Sequence, residues 1–128
     1  MTEQFQPQPG QVVWADLTIS NAEQIREFYR HVVGWEPEPV DMGGYLDYNM
    51  TLPGSDTPAA GICHARGVNA EIPPQWLIYI AVDDLDARIS SIEEFGGRVL
   101  VGPVGEGSSR FCVIEDPAGA VCALVQAG

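Results

Sequence analysis

Basic side chains are scarce in this chain: six arginines and no lysine stand against eighteen aspartates and glutamates in 128 residues, a formal net charge of −12. That balance opposes binding to nucleic acid and to anionic membrane surfaces, and leaves solubility, or a cationic ligand, as its meaning. Cysteines number three. Cys63, Cys112 and Cys122 are odd in number, lie in apolar runs and lack CxxC spacing, which excludes a disulfide framework and predicts small core residues, with Cys63 and Cys122 facing a helix-covered side. No apolar run approaches the ~18 residues of a membrane span, and the first ten residues are polar and Pro-rich rather than signal-like, so the expected compartment is the cytoplasm. Gly105-Glu106-Gly107 lacks the strand-to-helix context of a phosphate-binding loop.

What is present is a unit used twice. In WADLTISNAEQIREFYRHVVGW, from Trp14 to Trp35, a strand runs into an amphipathic helix. Period-2 alternation puts Val13, Ala15, Leu17 and Ile19 on one apolar face, and Val12, Trp14, Asp16 and Thr18 on a second, partly polar face suited to a cavity or a subunit boundary. Ser20-Asn21-Ala22-Glu23 fits a capping box. Ile25, Phe28, Tyr29, Val32 and Val33 form a stripe at helical spacing, and Gly34 can take a left-handed C′ conformation, predicting a helix over Ala22 to Val33. Displaced by 63, Val13, Ala15, Leu17 and Ile19 become Trp76, Ile78, Ile80 and Val82, Trp14 becomes Leu77, and Asp16 becomes Tyr79. The core pattern repeats while the second face changes.

By length this is a single domain. Residues 1–10 are expected to be disordered or extended, followed by two modules of about 11–66 and 75–126. Glu36-Pro37-Glu38-Pro39 reads as a connector, since each proline removes a donor. Tyr45 to Leu52 and Ala59 to Ala65 read as strands, 66–74 as a polar linker, and Arg98 to Val101, Arg110 to Glu115 and Ala120 to Gln126 as the strands of the second half. Matching Pro58 to Pro117, an offset of 59, sets His64 opposite Ala123 on an inward face.

The tandem strand-helix-strand order, with FYRHVVGW closing the first helix and DLDARISSIEEFGGRV followed by RFCVIEDPAGAVCALVQ in the second half, resembles the vicinal oxygen chelate superfamily of glyoxalases, extradiol dioxygenases and bleomycin-resistance proteins. The resemblance implies an α+β fold of tandem βαβββ modules, forming a curved half-barrel sheet around a cavity with helices on the outer face, often completed across a homodimer. Metal enzymes of the superfamily carry four inward ligands, His, Glu or Gln, one from the first and one from the last strand of each module. Position by position these fall on Trp14, His64, Leu77 and Ala123, of which only His64 can coordinate a metal. The resemblance therefore implies a pocket with no metal and no cofactor.

The expected ligand-binding residues are Trp14, Asp16, His64, Leu77, Tyr79 and Ala123, around a small, partly aromatic organic molecule. Asp16 could hold an amine or act as a base, or accept from a nearby N–H; Tyr79 could bond a ligand, or pack with its hydroxyl satisfied; His64 could be a base, or a satisfied strand histidine. His31, between polar neighbours on the helix, reads as solvated. Two functions stand side by side: a glyoxalase/bleomycin-resistance-like binding protein, and an enzyme of the glyoxalase/dioxygenase type, a lyase or isomerase dependent on a metal or on proton transfer by Asp16, His64 or Tyr79.

Overall fold

The computed structural model describes residues 7 to 127, so most of the expected disorder at the N-terminus lies outside the described residues. Eight strands and two α-helices follow in the order β1 (Val12–Ile19), α1 (Ala22–Val32), β2 (Glu36–Asp41), β3 (Leu46–Thr51), β4 (Pro58–His64), β5 (Trp76–Val82), α2 (Leu85–Ile92), β6 (Arg98–Val104), β7 (Phe111–Glu115) and β8 (Val121–Gln126). This is the α+β class with βαβββ used twice. The chain divides into two compact units, 14–77 and 7–13 with 78–127.

In the first unit the strand order is β2-β3-β4-β1, with β1 parallel to β4 and the other pairs antiparallel. The segment 36–39, read from sequence as a connector, is the greater part of β2, and Pro37 and Pro39 stand opposite Met50 and Tyr48. Proline is tolerated there because β2 is an edge strand whose missing N–H groups leave no ladder partner unpaired. Leu17 and Ile19 of β1, Tyr48 and Met50 of β3, and Ile62 of β4 form the core with Ala22 of α1, flanked by Ile25, Tyr29, Trp35 and Trp76. The Trp76 indole N–H donates to the Tyr29 hydroxyl at 3.0 Å, and Trp35 packs on both rings, which holds α1 against the sheet.

Two local expectations for α1 are corrected. No capping box forms: Asn21 is the N-cap without a side-chain cap bond, its amide donates to Gln24, and Glu23 is drawn to His64 instead. Of the apolar stripe only Ile25 and Tyr29 join the core, while Phe28, Val32 and Val33 are exposed. Gly34 does take positive φ, +87°, ending the helix as expected.

In the second unit the order is β5-β8-β7-β6, again with the first and last strands of the module parallel. Ile80 and Val82 pack with Leu85, Cys112 and Leu124 under α2. Asp84 caps α2, accepting from the Ala87 N–H at 3.2 Å. Ile78, expected in that core, is 43% exposed. Gly10 donates to Ala81 and Ala81 donates to Gln11, so the described residues before β1 run beside β5.

Candidate functional site

Because Leu17 and Ile19 are committed to the core under α1, the alternating residues Trp14 and Asp16 emerge on the opposite face of the first unit's sheet. The Trp14 Nε1–H donates to Asp16 Oδ1 at 2.5 Å. Asp16 stands opposite Gly61 of β4. A Cβ at Gly61 would overlap Asp16 Oδ1 and lie 3.5 Å from Trp14 Nε1. Glycine there is thus what lets the carboxylate lie over the sheet and meet the indole.

Around this pair is a cavity of about 260 Å³ that is also lined by Asp47, Asn49, Cys63 and Met42. Cys63 stands opposite Thr18 and its thiol hydrogen-bonds Asp47; burial, reinforced by the charges of Asp16 and Asp47, pushes its pKa far above the usual thiol range. It stays a protonated donor, not a nucleophile. A larger cleft of about 420 Å³ lies on the α1 side, lined by Leu17, Ile25, Phe28, Tyr29 and Trp76. Among the described residues its lining amides are Asn21 and Gln75, and its Trp76 indole N–H donates to the Tyr29 hydroxyl. The Trp14 cavity brings two carboxylates, an amide, a thiol and an indole together, which is the pattern of an orienting site.

His64 is elsewhere. It alternates with core residue Ile62 on the helix-covered side, opposite Ile19, and Cys63 takes the face that sequence reasoning assigned to His64. The cause is a one-residue parity error, which turns every side chain of a strand to the other face. Strand register gives the true equivalence: Asp16 pairs with Gly61 as Tyr79 pairs with Ala123, so β4 and β8 correspond at an offset of 62, and Gly61 rather than His64 matches Ala123. By the same register His64 matches Gln126, each opposite the last residue of its module's first strand. Their roles match as well. Gln126 accepts the Leu85 N–H at the start of α2, 2.9 Å, and His64 Nε2 meets Glu23 in the first turn of α1 at 2.5 Å.

Leu77, in the same unit as the Trp14 cavity, is not part of that cavity's lining. Leu77 and Ala123 are fully buried. Tyr79 belongs to the second unit, beside Ala123 in register and against the Phe111 ring at 6.1 Å. Asp47, Asn49 and Gly61 were missed. The signal was in LDYNMT, where Asp47 and Asn49 alternate with the core residues Tyr48 and Met50.

The profile of the Glyoxalase/Bleomycin resistance protein/Dioxygenase superfamily matches residues 11–124. The chain belongs to this superfamily. It is 32% identical over 130 residues to the putative glyoxylase CFP32 of Mycobacterium bovis, covering 99% of this chain and 49% of that protein. It is 31% identical over 118 residues to the anthracycline biosynthesis protein DnrV of Streptomyces peucetius, covering 92% and 42%. The chain thus spans somewhat under half the length of these curated relatives. Among solved structures, methylmalonyl-CoA epimerase from Mycobacterium tuberculosis shares the fold, with a TM-score of 0.51, 21% identity, and 93% and 88% of the two chains covered.

The superfamily's metal positions carry other kinds of side chain in this protein. With the register corrected they are Trp14, Gly61, Leu77 and Ala123, none of which offers a lone pair to a metal; the one ring nitrogen, on Trp14, is a donor already engaged by Asp16. Among the described residues no group of three or more His, Cys, Asp or Glu is arranged to hold a metal ion. These residues do not fit the superfamily's divalent centre. Nor is any helix among the described residues long and apolar enough to cross a membrane.

Proposed function

We propose that this glyoxalase-superfamily chain binds a small, partly aromatic organic molecule on the Trp14 face of its first unit, without a divalent metal. The observation that carries the reading is the Trp14–Asp16 pair held over Gly61, where the superfamily's chelating enzymes would need donors. An indole fixed by a hydrogen bond offers a flat stacking surface, and Asp16, Asp47 and Asn49 supply the polar contacts that orient a ligand. A volume near 260 Å³ lies just below the usual range of pockets for drug-sized ligands and suits one or two rings.

Of the alternatives Asp16, His64 or Tyr79 for proton transfer, His64 has less support, since it is turned to the helix side of the sheet. We further propose a homodimer, as the superfamily resemblance implies, in the cytoplasm. The test is elemental analysis of dialysed protein together with a Trp14 indole resonance followed against tryptamine. Substoichiometric metal and saturable shifts that weaken in Asp16→Asn, which keeps the Trp14 probe, are expected. One zinc, nickel, manganese or iron per chain surviving dialysis, or an indole resonance unmoved by tryptamine and related bicyclic aromatics, overturns it.

A further inference from the structure

His64 is held between two carboxylates from different elements. Its Nε2 lies 2.5 Å from Glu23 Oε2 on α1 and its Nδ1 lies 3.3 Å from Asp47 Oδ1 on β3. The same Asp47 oxygen accepts the His64 backbone N–H at 2.9 Å. The Tyr45 ring meets the imidazole edge-on at 5.5 Å, and the Arg66 guanidinium lies on that Tyr45 ring at 4.0 Å. Arg26, one turn beyond Glu23, is engaged by Glu27 and the Tyr48 hydroxyl. Ionised carboxylates only accept and neutral imidazole carries a single N–H, so with both carboxylates ionised the two contacts are satisfied together only by imidazolium.

We propose that His64 is a pH-responsive latch joining the first turn of α1 to the Trp14 cavity through Asp47; its effect on ligands rests on reading that cavity as the binding site. When the imidazolium loses its proton, one ring nitrogen turns a lone pair toward a carboxylate. Glu23 is the side that yields, because its side chain is 60% exposed while that of Asp47 is 11% exposed and is pinned by the His64 N–H and the Cys63 thiol. Release therefore frees the start of α1. It also removes a positive charge beside Asp47, which lines the cavity with Asp16, so a cationic ligand gains affinity and an anionic one loses it. The second module has no such switch, because Gln126 makes the equivalent strand-to-helix link with a side chain that does not titrate.

The experiment is an NMR titration of the ligand-free chain between pH 5.5 and 8.5, following the Trp14 indole, the His64 ring and the amides of Ala22 to Gln24. The variants are His64→Gln, Glu23→Gln and, as a control at the other histidine, His31→Gln. All three sets of signals should titrate together in the wild type and in His31→Gln, and those of Trp14 and α1 should stay flat in His64→Gln. Glu23→Gln, at an exposed side chain, should abolish the α1 response and keep that of Trp14. Tryptamine affinity should rise about fivefold or more across the range, the low end of coupling between linked sites, and indole-3-acetate affinity should fall. A His64 ring that titrates while Trp14 and α1 stay flat overturns the proposal, as does an undiminished Trp14 titration in His64→Gln. Joint titration without tryptamine binding upholds the latch and removes only the ligand reading.

Discussion

Replacing Gly61 with alanine adds one methyl group at the point where Asp16 crosses β4. That methyl cannot coexist with Asp16 Oδ1 where it lies, and Trp14 Nε1 is 3.5 Å away. Asp16 must rotate, and the 2.5 Å indole bond breaks with it. Overpacking of this kind costs about 1–3 kcal/mol, and loss of a hydrogen bond to a charged group adds up to about 1.5–3 kcal/mol, discounted because the pair is only half-buried. Restricting the unfolded chain offsets roughly 0.4–1 kcal/mol. The net is about 1–3 kcal/mol, a fall in Tm of roughly 3–15 °C for a chain of this size. Tryptamine binding should weaken tenfold or more, because the displaced carboxylate occupies the cavity. The decisive assay is a urea-denaturation cycle of Gly61→Ala, Asp16→Ala and the double variant. With the carboxylate gone the methyl has room, so an interaction energy of about 1 kcal/mol or more is expected. Additive costs would refute the contact and with it the geometry on which the site is built.

Truncating Leu17 or Ile62, both in the first unit's core, to alanine should cost about 2–5 kcal/mol, whereas Ile78→Ala, at an exposed position, should cost under about 1 kcal/mol by the same denaturation measurement. Equal losses would place Ile78 in a core. The thiols predict alkaline sensitivity: burial pushes Cys112 up to about 11 and Cys63 higher, so the folded chain keeps protons that unfolded thiols shed above about pH 8.5. That contribution is intact below pH 8.5 and declines as pH rises toward 11, so urea midpoints should drop between pH 8 and 10 and drop less in Cys112→Ala. Iodoacetamide at pH 8, read by peptide mass spectrometry, should label Cys63 far more slowly than free cysteine.

The α+β fold class was implied by the family resemblance, while sequence periodicity determined both helices, the core face of β1 and the two faces on which Trp14 and Asp16 part from Leu17 and Ile19. These follow from local rules, because a strand's alternation and a helix's stripe are visible wherever one face is apolar. β2 was lost because two prolines read locally as a break; only an edge position in a sheet makes them harmless, and edge or centre is a property of strand order. β4 was assigned the wrong parity for a related reason. PAAGICH has small or weakly polar residues on both faces, so its alternation carries little signal. Its register is set by pairing with β1 and β3, which puts Gly61 against Asp16 and Tyr48 against Ile62. From that one-residue choice came the whole site: Cys63 and Gly61 joined Trp14, and His64 went to the helix, where Glu23 and Asp47, 41 and 17 positions away along with their own elements, meet on its two nitrogens. Long-range pairing of that kind has no local signature, so tertiary structure alone decided it.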